Sequence, residues 1–488
     1  MSLAASRGNG RHAVVDIGSN SVRLVIFAAD RRVPSPLLNE KVAANLGKTL
    51  QEDGRLPGKA MDVALRGLAR FALVIEGMGS DSVRVVATAA VRDAVNGAEF
   101  LERVRAVGLE PHLMSGSEEA AASASGVLCA FPGARGVVAD LGGGSLELVE
   151  IGSGGGGPGI TLPLGTLRLA RLRERSAEAA QRKLASLIAT APEGMARGGT
   201  LFLVGGSWRA LTQFAMHKID WPVRTPHGFA LPADEVKELV EALAGTPEKA
   251  LHKIPRLPAA RIPSLGDAAA VLSALVTRLK PRAIVTSTFG LREGLMFDQL
   301  QAHVRALDPL TADLADQLGP SAAGTIYGRP LFDWAAGALP DEDPATTRLR
   351  LAVSWLGHPL RQAERPTRAE RAIELTFHEP LIGIDAEGRA MLAAALLAFA
   401  GEREVPAQVA RLAGSDRLEQ AARWGCLMRL AEKLSGGSER LLAMSRIEAT
   451  GRTLALDLSR HKALYGEGVE AQHKSTAHQF GLAPAVVG

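Results

Sequence analysis

The ten residues from Asp16, D-I-G-S-N-S-V-R-L-V, lie over the ten from Asp140, D-L-G-G-G-S-L-E-L-V. Asp, Gly, Ser, Leu and Val coincide, and the other positions are small or apolar, apart from Arg23 against Glu147. Taken alone, either stretch reads as a hairpin turn between two apolar runs. Its glycines supply positive φ and its serine bonds locally. Written twice in one chain, the pattern points to two related lobes. Two such turns facing each other offer two sets of backbone N–H groups to one ligand.

The rest of the chain suits that plan. Its 488 residues allow about three domains. With 47% hydrophobic and 22% charged residues the composition is that of a soluble globular protein, and 4% aromatics leave the core to Leu, Val, Ile and Ala. A formal charge of +4 does not mark a nucleic-acid binder, but leaves room for a local basic channel serving an acidic ligand. Cys129 and Cys426 are far apart and have no C-x-x-C spacing, which argues against disulfides and thiolate metal sites and suits a reducing cytoplasm. Before the first strand, MSLAASRGNGRH lacks a signal-peptide core, and Met391–Gly401 is too short to span a bilayer. The expectation is a cytoplasmic protein, with neither nucleic acid nor membrane as partner.

From His12 to about Cys129 the pattern predicts strand, strand, helix, strand, helix, then a short strand running into a helix at Ser115–Ser117. A second unit starts at Gly136, with the Gly-rich hairpin, a strand at GITLPLG, helices from Gly165 to Ala189 and a strand at TLFLVGGS. It ends near PRAIVTSTFGLREGLMFDQL, read as strand, turn and helix. Alternating strands and helices predict an α/β fold. Gly152–Gly159 is expected to be a floppy hairpin tip without chemistry. From about Ala306 helical patterns dominate to Lys433, and Arg446–Leu458 predicts two strands around Thr450-Gly451. The expected ranges are 12–128 and 129–305 for the two lobes, 306–434 for a helical domain and 435–488 for a small α+β tail.

Gly/Ser turns let backbone amides approach phosphate oxygens closely, without a Walker lysine. Gly18, Ser19, Asn20 and Ser21 form one candidate phosphate loop, and Gly142, Gly143, Gly144 and Ser145 the other. Neither fits G-x-x-x-x-G-K-[ST], and no G-x-G-x-x-G opens a helix after a strand. Asp16, Asp140 and Glu147 are hard oxygen ligands suited to Mg²⁺, which touches one or two carboxylates and a substrate phosphate while keeping waters. A turn-capping role accounts for Asp16 equally well. In SGSEEA, Ser115 and Glu118 have capping-box spacing, which leaves Glu119 in the first helical turn. Glu119 is either a solvated helix-start glutamate or a carboxylate that orients and deprotonates water. Arg92 ends A-T-A-A-V-R, where an arginine can pair bidentately with phosphate or serve a surface ion pair.

Together, D-I-G-S-N-S, A-T-A-A-V-R, S-G-S-E-E-A, D-L-G-G-G-S-x-E and F-G-L-R-E-G resemble the exopolyphosphatase/guanosine pentaphosphate phosphohydrolase family in order and spacing over residues 12–305. The resemblance implies the two-lobed fold of actin, Hsp70 and sugar kinases, with the site in the interlobe cleft. It makes Glu119 the catalytic base, the two Gly/Ser turns the phosphate loops, Arg92 a phosphate clamp, and Asp140 and Glu147 the Mg²⁺-associated carboxylates. Leu203–Leu211 falls at the nucleotide-side turn of the superfamily, and Phe289–Gly294 closes the second lobe.

Family members often carry a helical domain similar to metal-dependent HD phosphohydrolases. Here His358 has no adjacent His-Asp pair, and His378-Glu379 is followed by Pro380, so a scaffold or polymer-binding role is expected in place of metal chemistry. The activity expected is Mg²⁺-assisted release of terminal phosphate from inorganic polyphosphate. Guanosine pentaphosphate is the alternative substrate, a non-catalytic phosphate sensor the rival from another class, and a homodimer stays open. A sugar or acetate kinase is disfavoured by the missing sugar-site signature.

Overall fold

The computed structural model describes residues 10–48, 50–152, 155–459 and 461–487. The chain forms two compact units. One runs to Trp221 and resumes over Pro226–Leu307, and the other takes Pro222–Thr225 and the chain from Asp308.

In the first unit the duplicated motif becomes a duplicated sheet. Strands β1 (Arg11–Ile17), β2 (Val22–Ala28), β3 (Pro36–Val42), β4 (Ser82–Ala87) and β5 (Pro111–Leu113) lie in the order β3-β2-β1-β4-β5. The β1–β2–β3 run is antiparallel, whereas β4 and β5 are added in parallel. Strands β6 (Gly136–Leu141), β7 (Leu146–Gly152), β8 (Gly155–Leu162), β9 (Thr200–Val204), β10 (Ala230–Pro232) and β11 (Ala283–Thr286) repeat this plan, in the order β10-β11-β9-β6-β7-β8. Again the hairpin strands are antiparallel, and β9 and β11 are parallel to β6. This is the two-lobed α/β architecture of the actin and Hsp70 class.

Each lobe has an aliphatic core. In lobe I, helix α1 (Gly58–Gly77) buries Ala64, Leu68, Phe71 and Ile75 at helical spacing against Val15, Leu24 and Ile26. Two further helices connect the lobes, α2 (Gly116–Ala130) and α5 (Leu291–Phe297). Between them in sequence come α3 (Gly206–Lys218) and α4 (Leu265–Leu279), which fill lobe II around Trp208. The indole N–H of Trp208 donates to the Ala268 carbonyl at 3.1 Å. By length and composition, Ala259–Leu279 is apolar enough to cross a membrane, but Leu265, Ala268, Val271, Leu272 and Leu275 lie in the lobe II core.

Helices α2 and α5 are exchanged between the lobes. Although α2 follows the last lobe I strand, its Ala120, Ala124 and Val127 pack on Val138, Val149 and Phe202 of lobe II. Conversely, α5 follows the lobe II strands, yet Leu295 and Met296 pack with Val14, Val25, Phe27 and Val86 of lobe I. Where the two meet, a Cβ on Gly126 would sit 2.2 Å from the Gly290 carbonyl oxygen, and one on Gly294 only 1.8 Å from that of Ala122.

The same close packing corrects the expectation for the Gly-rich run. Ser153 and Gly154 lie outside the described residues, but Gly155–Leu162 is strand β8, paired with β7, and not a floppy tip. Its glycines form a bed for α2: a Cβ on Gly159 would come to 2.6 Å from the Ala120 methyl, and a Cβ on Gly116 to 2.1 Å from Thr161 Oγ1.

The second unit is built on helices α6 (Pro344–Gln362), α7 (Ala386–Ala400) and α8 (Ser415–Ser435). Helix α7 is buried on nearly every side, so the apolar run at Met391 is the centre of this unit. Strands β12 (Arg446–Thr450), β13 (Thr453–Asp457) and β14 (Ala483–Val487) form a small sheet with helix α9 (Glu467–Gln479). Ile447, Leu454 and Leu456 share a core with Leu427, Leu430 and Leu434 of α8, so the stretches 306–434 and 435–488 meet in one hydrophobic cluster.

Overpacking a tight core costs about 1–3 kcal/mol. Gly126→Ala and Gly294→Ala should each destabilise the protein by at least that amount. Gly77→Ala, at a helical site with nothing within 4 Å of the new Cβ, should be neutral or stabilising by up to about 1 kcal/mol. Denaturant unfolding of the three variants checks the contrast.

Candidate active site

The two Gly/Ser turns close identically. The Gly18 amide donates to the Ser21 carbonyl at 3.1 Å, and the Gly142 amide to that of Ser145 at 3.0 Å. Their carbonyls are tied from behind. Amides of Asn45 and Gly47 donate to Asn20 and Ser19, while those of Thr166 and Leu167 donate to Gly142 and Gly143. Arg168 Nε adds a bond to the Gly144 carbonyl at 2.6 Å. Among the described residues, no acceptor takes the amides of Ser19, Asn20, Gly143 and Gly144. With their carbonyls turned back, these amides are the polar groups left for the cleft, an anion nest on each side.

The turns face each other closely. A Cβ on Gly143 would lie 2.9 Å from Asn20 Nδ2 and 3.0 Å from the Ser19 Cβ. Only glycine lets the second loop approach the first so nearly. Gly165 has a parallel duty, since its Cβ would fall 2.1 Å from the Gly143 carbonyl oxygen.

Four carboxylates gather at the floor. Asp16 and Asp140 end the equivalent strands β1 and β6, and Glu119 reaches in from the first turn of α2. Ser115 and Glu118 form the expected capping box, with both reciprocal bonds present, which frees Glu119. Burial and then the Asp140 charge push Glu119 up to about 7. Burial also raises Asp16 and Asp140, although the Ser123 hydroxyl donates to Asp140 and opposes the rise. Glu147 is raised well above the carboxylate range by burial, then by Glu119 and Asp140.

Glu147 differs from expectation in one respect. The resemblance makes it a Mg²⁺-associated carboxylate of the cleft, but it is 1% exposed and does not line the cavity. The cause is its register: it pairs across from Asp140 in the β6–β7 ladder. Its Oε1 has no hydrogen-bond partner among the described residues.

Arg92 pairs with the candidate base. It ends the short helix Ala89–Arg92 behind the lining, and its guanidinium is engaged by Glu119 Oε2 at 3.3 Å and the Met114 carbonyl at 2.9 Å. Asp93 beside it pairs with Arg168, so a polar chain runs from Glu119 through Arg92, Asp93 and Arg168 to the Gly144 carbonyl. This chain joins the lobes across the site.

The remaining cleft wall is cationic. Arg23, Lys41, Arg209, Arg261 and Arg292 line a cavity of about 190 Å³ together with both turns, Asp16, Glu119, Asp140 and Glu293. Burial, followed by the charges of Arg292 and Arg209, pushes Arg23 down to about 10. Lys41, Arg209 and Arg261 are lowered, in each case chiefly by burial. Clustered, desolvated cations of this kind call for a polyanion. Sequence reasoning gave none of the five a role. The signal for two was present, since Arg209 lies in G-G-S-W-R at the head of α3 and Arg292 in F-G-L-R-E-G. Lys41 and Arg261 carry no local pattern. Among the described residues, no group of three or more His, Cys, Asp or Glu side chains is arranged to hold a metal ion unaided.

The sequence model of the Ppx/GppA phosphatase family matches residues 25–303. The chain belongs to the Ppx/GppA phosphatase family. It is 26% identical to exopolyphosphatase 1 of Mycobacterium bovis over 311 residues, covering 60% of this chain and 89% of that protein. It is also 25% identical to retrograde regulation protein 2 of Saccharomyces cerevisiae over 335 residues, 61% of this chain. That match spans only 57% of the yeast protein. A Ppx/GppA enzyme of Aquifex aeolicus superposes with a TM-score of 0.50 at 26% identity, covering 59% of this chain and 99% of the other. The family match ends at residue 303, short of the second unit's main stretch from Asp308.

The raised Glu119 carries a stability consequence. An acid whose folded-state pKa exceeds its ordinary 4.5 costs the folded state as pH rises from that value to about 7, and the full cost persists above. In chelator, Glu119→Gln should therefore stabilise the protein by about 1–3 kcal/mol at pH 8 and by little at pH 4.5. Thermal unfolding across that range should show the gap open with rising pH.

Proposed function

We propose that this Ppx/GppA phosphatase is an exopolyphosphatase that transfers the terminal phosphoryl group of inorganic polyphosphate to water. The observation that carries this reading is the character of the cleft wall. It offers two amide nests and five cationic side chains, and its apolar lining is limited to Ala89, Leu141, Val204 and Leu291, with no aromatic ring among the described residues. Such a wall recognises repeated negative charge and offers a guanine base no aromatic side chain to stack on. The similarity to a mycobacterial exopolyphosphatase supports the same substrate. A reducing cytoplasm is the compartment assumed, in keeping with two free cysteines.

The terminal phosphate would lie between the turns, its oxygens on the amides of Ser19, Asn20, Gly143 and Gly144. Arg209, Arg292 and Arg23 would neutralise the following phosphates. Glu119, held in orientation by Arg92, would align the attacking water and accept its proton. A carboxylate near 7 is poised to do so close to neutral pH. The new P–O bond forms to water as the anhydride P–O bond breaks, and the shortened chain leaves with the electron pair.

The family resemblance implies Mg²⁺, and the residues fit it. Burial raises Asp140, Glu147 and Asp16, neighbouring carboxylates raise Asp140 and Glu147 further, and Glu147 Oε1 has no hydrogen-bond partner among the described residues. Asp140 with Asp16 or Glu147 would hold the ion, leaving its remaining positions to water and phosphate. Bound there, Mg²⁺ would supply charge neutralisation at the transferred phosphoryl group.

A regulatory reading rests on a different observation, the similarity to yeast retrograde regulation protein 2. It needs the turns and cations but not Glu119.

Phosphate release measured side by side from long polyphosphate, short polyphosphate and guanosine pentaphosphate separates these readings. Polyphosphate should be preferred, and a preference for the nucleotide would overturn the assignment. Glu119→Gln should lower turnover ~10²–10⁴-fold with little change in chain affinity, whereas Glu118→Gln should leave turnover nearly intact. Wild-type binding without release would favour the regulatory reading. Separately, Glu147→Gln should raise the Mg²⁺ concentration needed for half-maximal turnover about tenfold or more. An unchanged Mg²⁺ titration would remove Glu147 from the metal.

A further inference from the structure

The second unit has a cationic cavity of its own. It encloses about 220 Å³ where the C-terminal ends of α6, α7 and α8 meet. Arg361, Arg365, Arg368, Arg429 and Lys433 line it, with Glu432 the one carboxylate. None of these residues lies in the stretch matched by the family.

Two of the cations have structural work that accounts for them. Arg361 Nη2 donates to the Gly436 carbonyl at 3.1 Å, and Arg368 donates to the carbonyls of Ala363 and Arg361 at 3.1 and 2.8 Å. These bonds cap helix ends and oppose their dipoles. The other three cations are different. Among the described residues, the side chains of Arg365, Arg429 and Lys433 make no ion pair and no hydrogen bond. Glu432 cannot balance them, because it accepts from the Tyr327 hydroxyl at 2.9 Å and lies 3.8 Å from Arg361 Nε.

The cavity is also preorganised. Gly401 has φ of +103°, and a Cβ there would fall 1.9 Å from Arg429 Nη1. Gly437 has φ of +86°, and its Cβ would fall 2.8 Å from the Arg361 guanidinium. Left-handed glycines thus end or follow α7 and α8 and seat a guanidinium flat against each helix end. Like charges brought together in a concave site repel unless an anion joins them. Planar guanidinium forks match phosphate oxygens two at a time.

We propose that this cavity is a second anion site, independent of the interlobe cleft, that takes a short phosphoanhydride, a diphosphate group either free or carried by a nucleotide. Arg429 and Arg365 bind its two phosphates, and Lys433 closes the mouth.

The test titrates the full-length chain carrying Arg209→Ala and Arg292→Ala, which weaken the cleft, with pyrophosphate, GDP and guanosine in chelator. Pyrophosphate should still bind in this background, less tightly as salt rises. Adding Arg429→Gln should weaken it about tenfold, the loss of one charge-assisted contact. Arg365 is exposed, so Arg365→Gln gives the same reading without disturbing the fold should circular dichroism show Arg429→Gln perturbed. Tighter binding of GDP than pyrophosphate, abolished by Arg365→Gln, assigns the diphosphate to a nucleotide, and the reverse order assigns it to an inorganic chain. Either supports the site. Absence of pyrophosphate binding up to millimolar concentration, binding untouched by both substitutions, or guanosine binding as well as GDP would overturn it.

Discussion

The architecture depends on one close approach, the crossing of α2 and α5 at Gly126, Gly290 and Gly294. No side chain larger than hydrogen fits there, so the helices touch through their backbones. Because each helix comes from one lobe in sequence and packs on the other, this crossing is where the two cores are joined. It also sets the distance between the glycine-rich turns, and it aims the N-terminal turn of α2, with Glu119, between Asp16 and Asp140. The glycines of β8 serve the same end by letting α2 lie flat on lobe II.

On this symmetric frame the charges are arranged asymmetrically. Arg23 pairs across from Asp16, and Glu147 across from Asp140, at equivalent rungs of equivalent hairpins. One lobe thus brings a cation to the site where the other buries an acid. The outcome is a floor of carboxylates raised by burial and then by one another, beneath a wall of cations lowered by burial and then by one another. Each group is incomplete alone. On the proposed reading a phosphate chain would satisfy the wall, and a divalent ion the floor. Phosphoryl transfer needs both brought to one point, which suits a protein whose chemistry is mostly positioning.

The second unit follows a different logic. Its core is α7, buried on nearly all sides, and its cations gather where helix ends need positive charge. Capping explains Arg361 and Arg368. It leaves Arg365, Arg429 and Lys433 over, and the two left-handed glycines hold the cavity open around them. The sequence of this unit shows no motif for such a site, because its cations come from the end of α6, the segment after it and α8, and act only once these converge.

The sequence by itself determined the local parts of this protein. Hairpins, turns and the capping box are set within ten residues, so Asp16–Ser21, Asp140–Ser145 and Ser115–Glu119 were legible as repeated turns and a cap, although none of Gly18, Gly142, Gly143 and Gly144 takes the positive φ expected of it. Repetition predicted two lobes and facing turns, because similar strand–turn–strand segments build similar hairpins. What only the tertiary structure decided is everything that depends on which side of a wall a residue occupies. Glu147 is buried and not in solvent, Arg92 pairs with Glu119, and the glycine run of β8 is a strand under a helix. Arg209, Arg261, Arg292 and Lys41 gather from four distant segments into one surface. The physical reason is range: turn and cap energies are fixed by neighbouring dihedrals, whereas burial and the summed field of distant charges exist only after the chain has closed on itself.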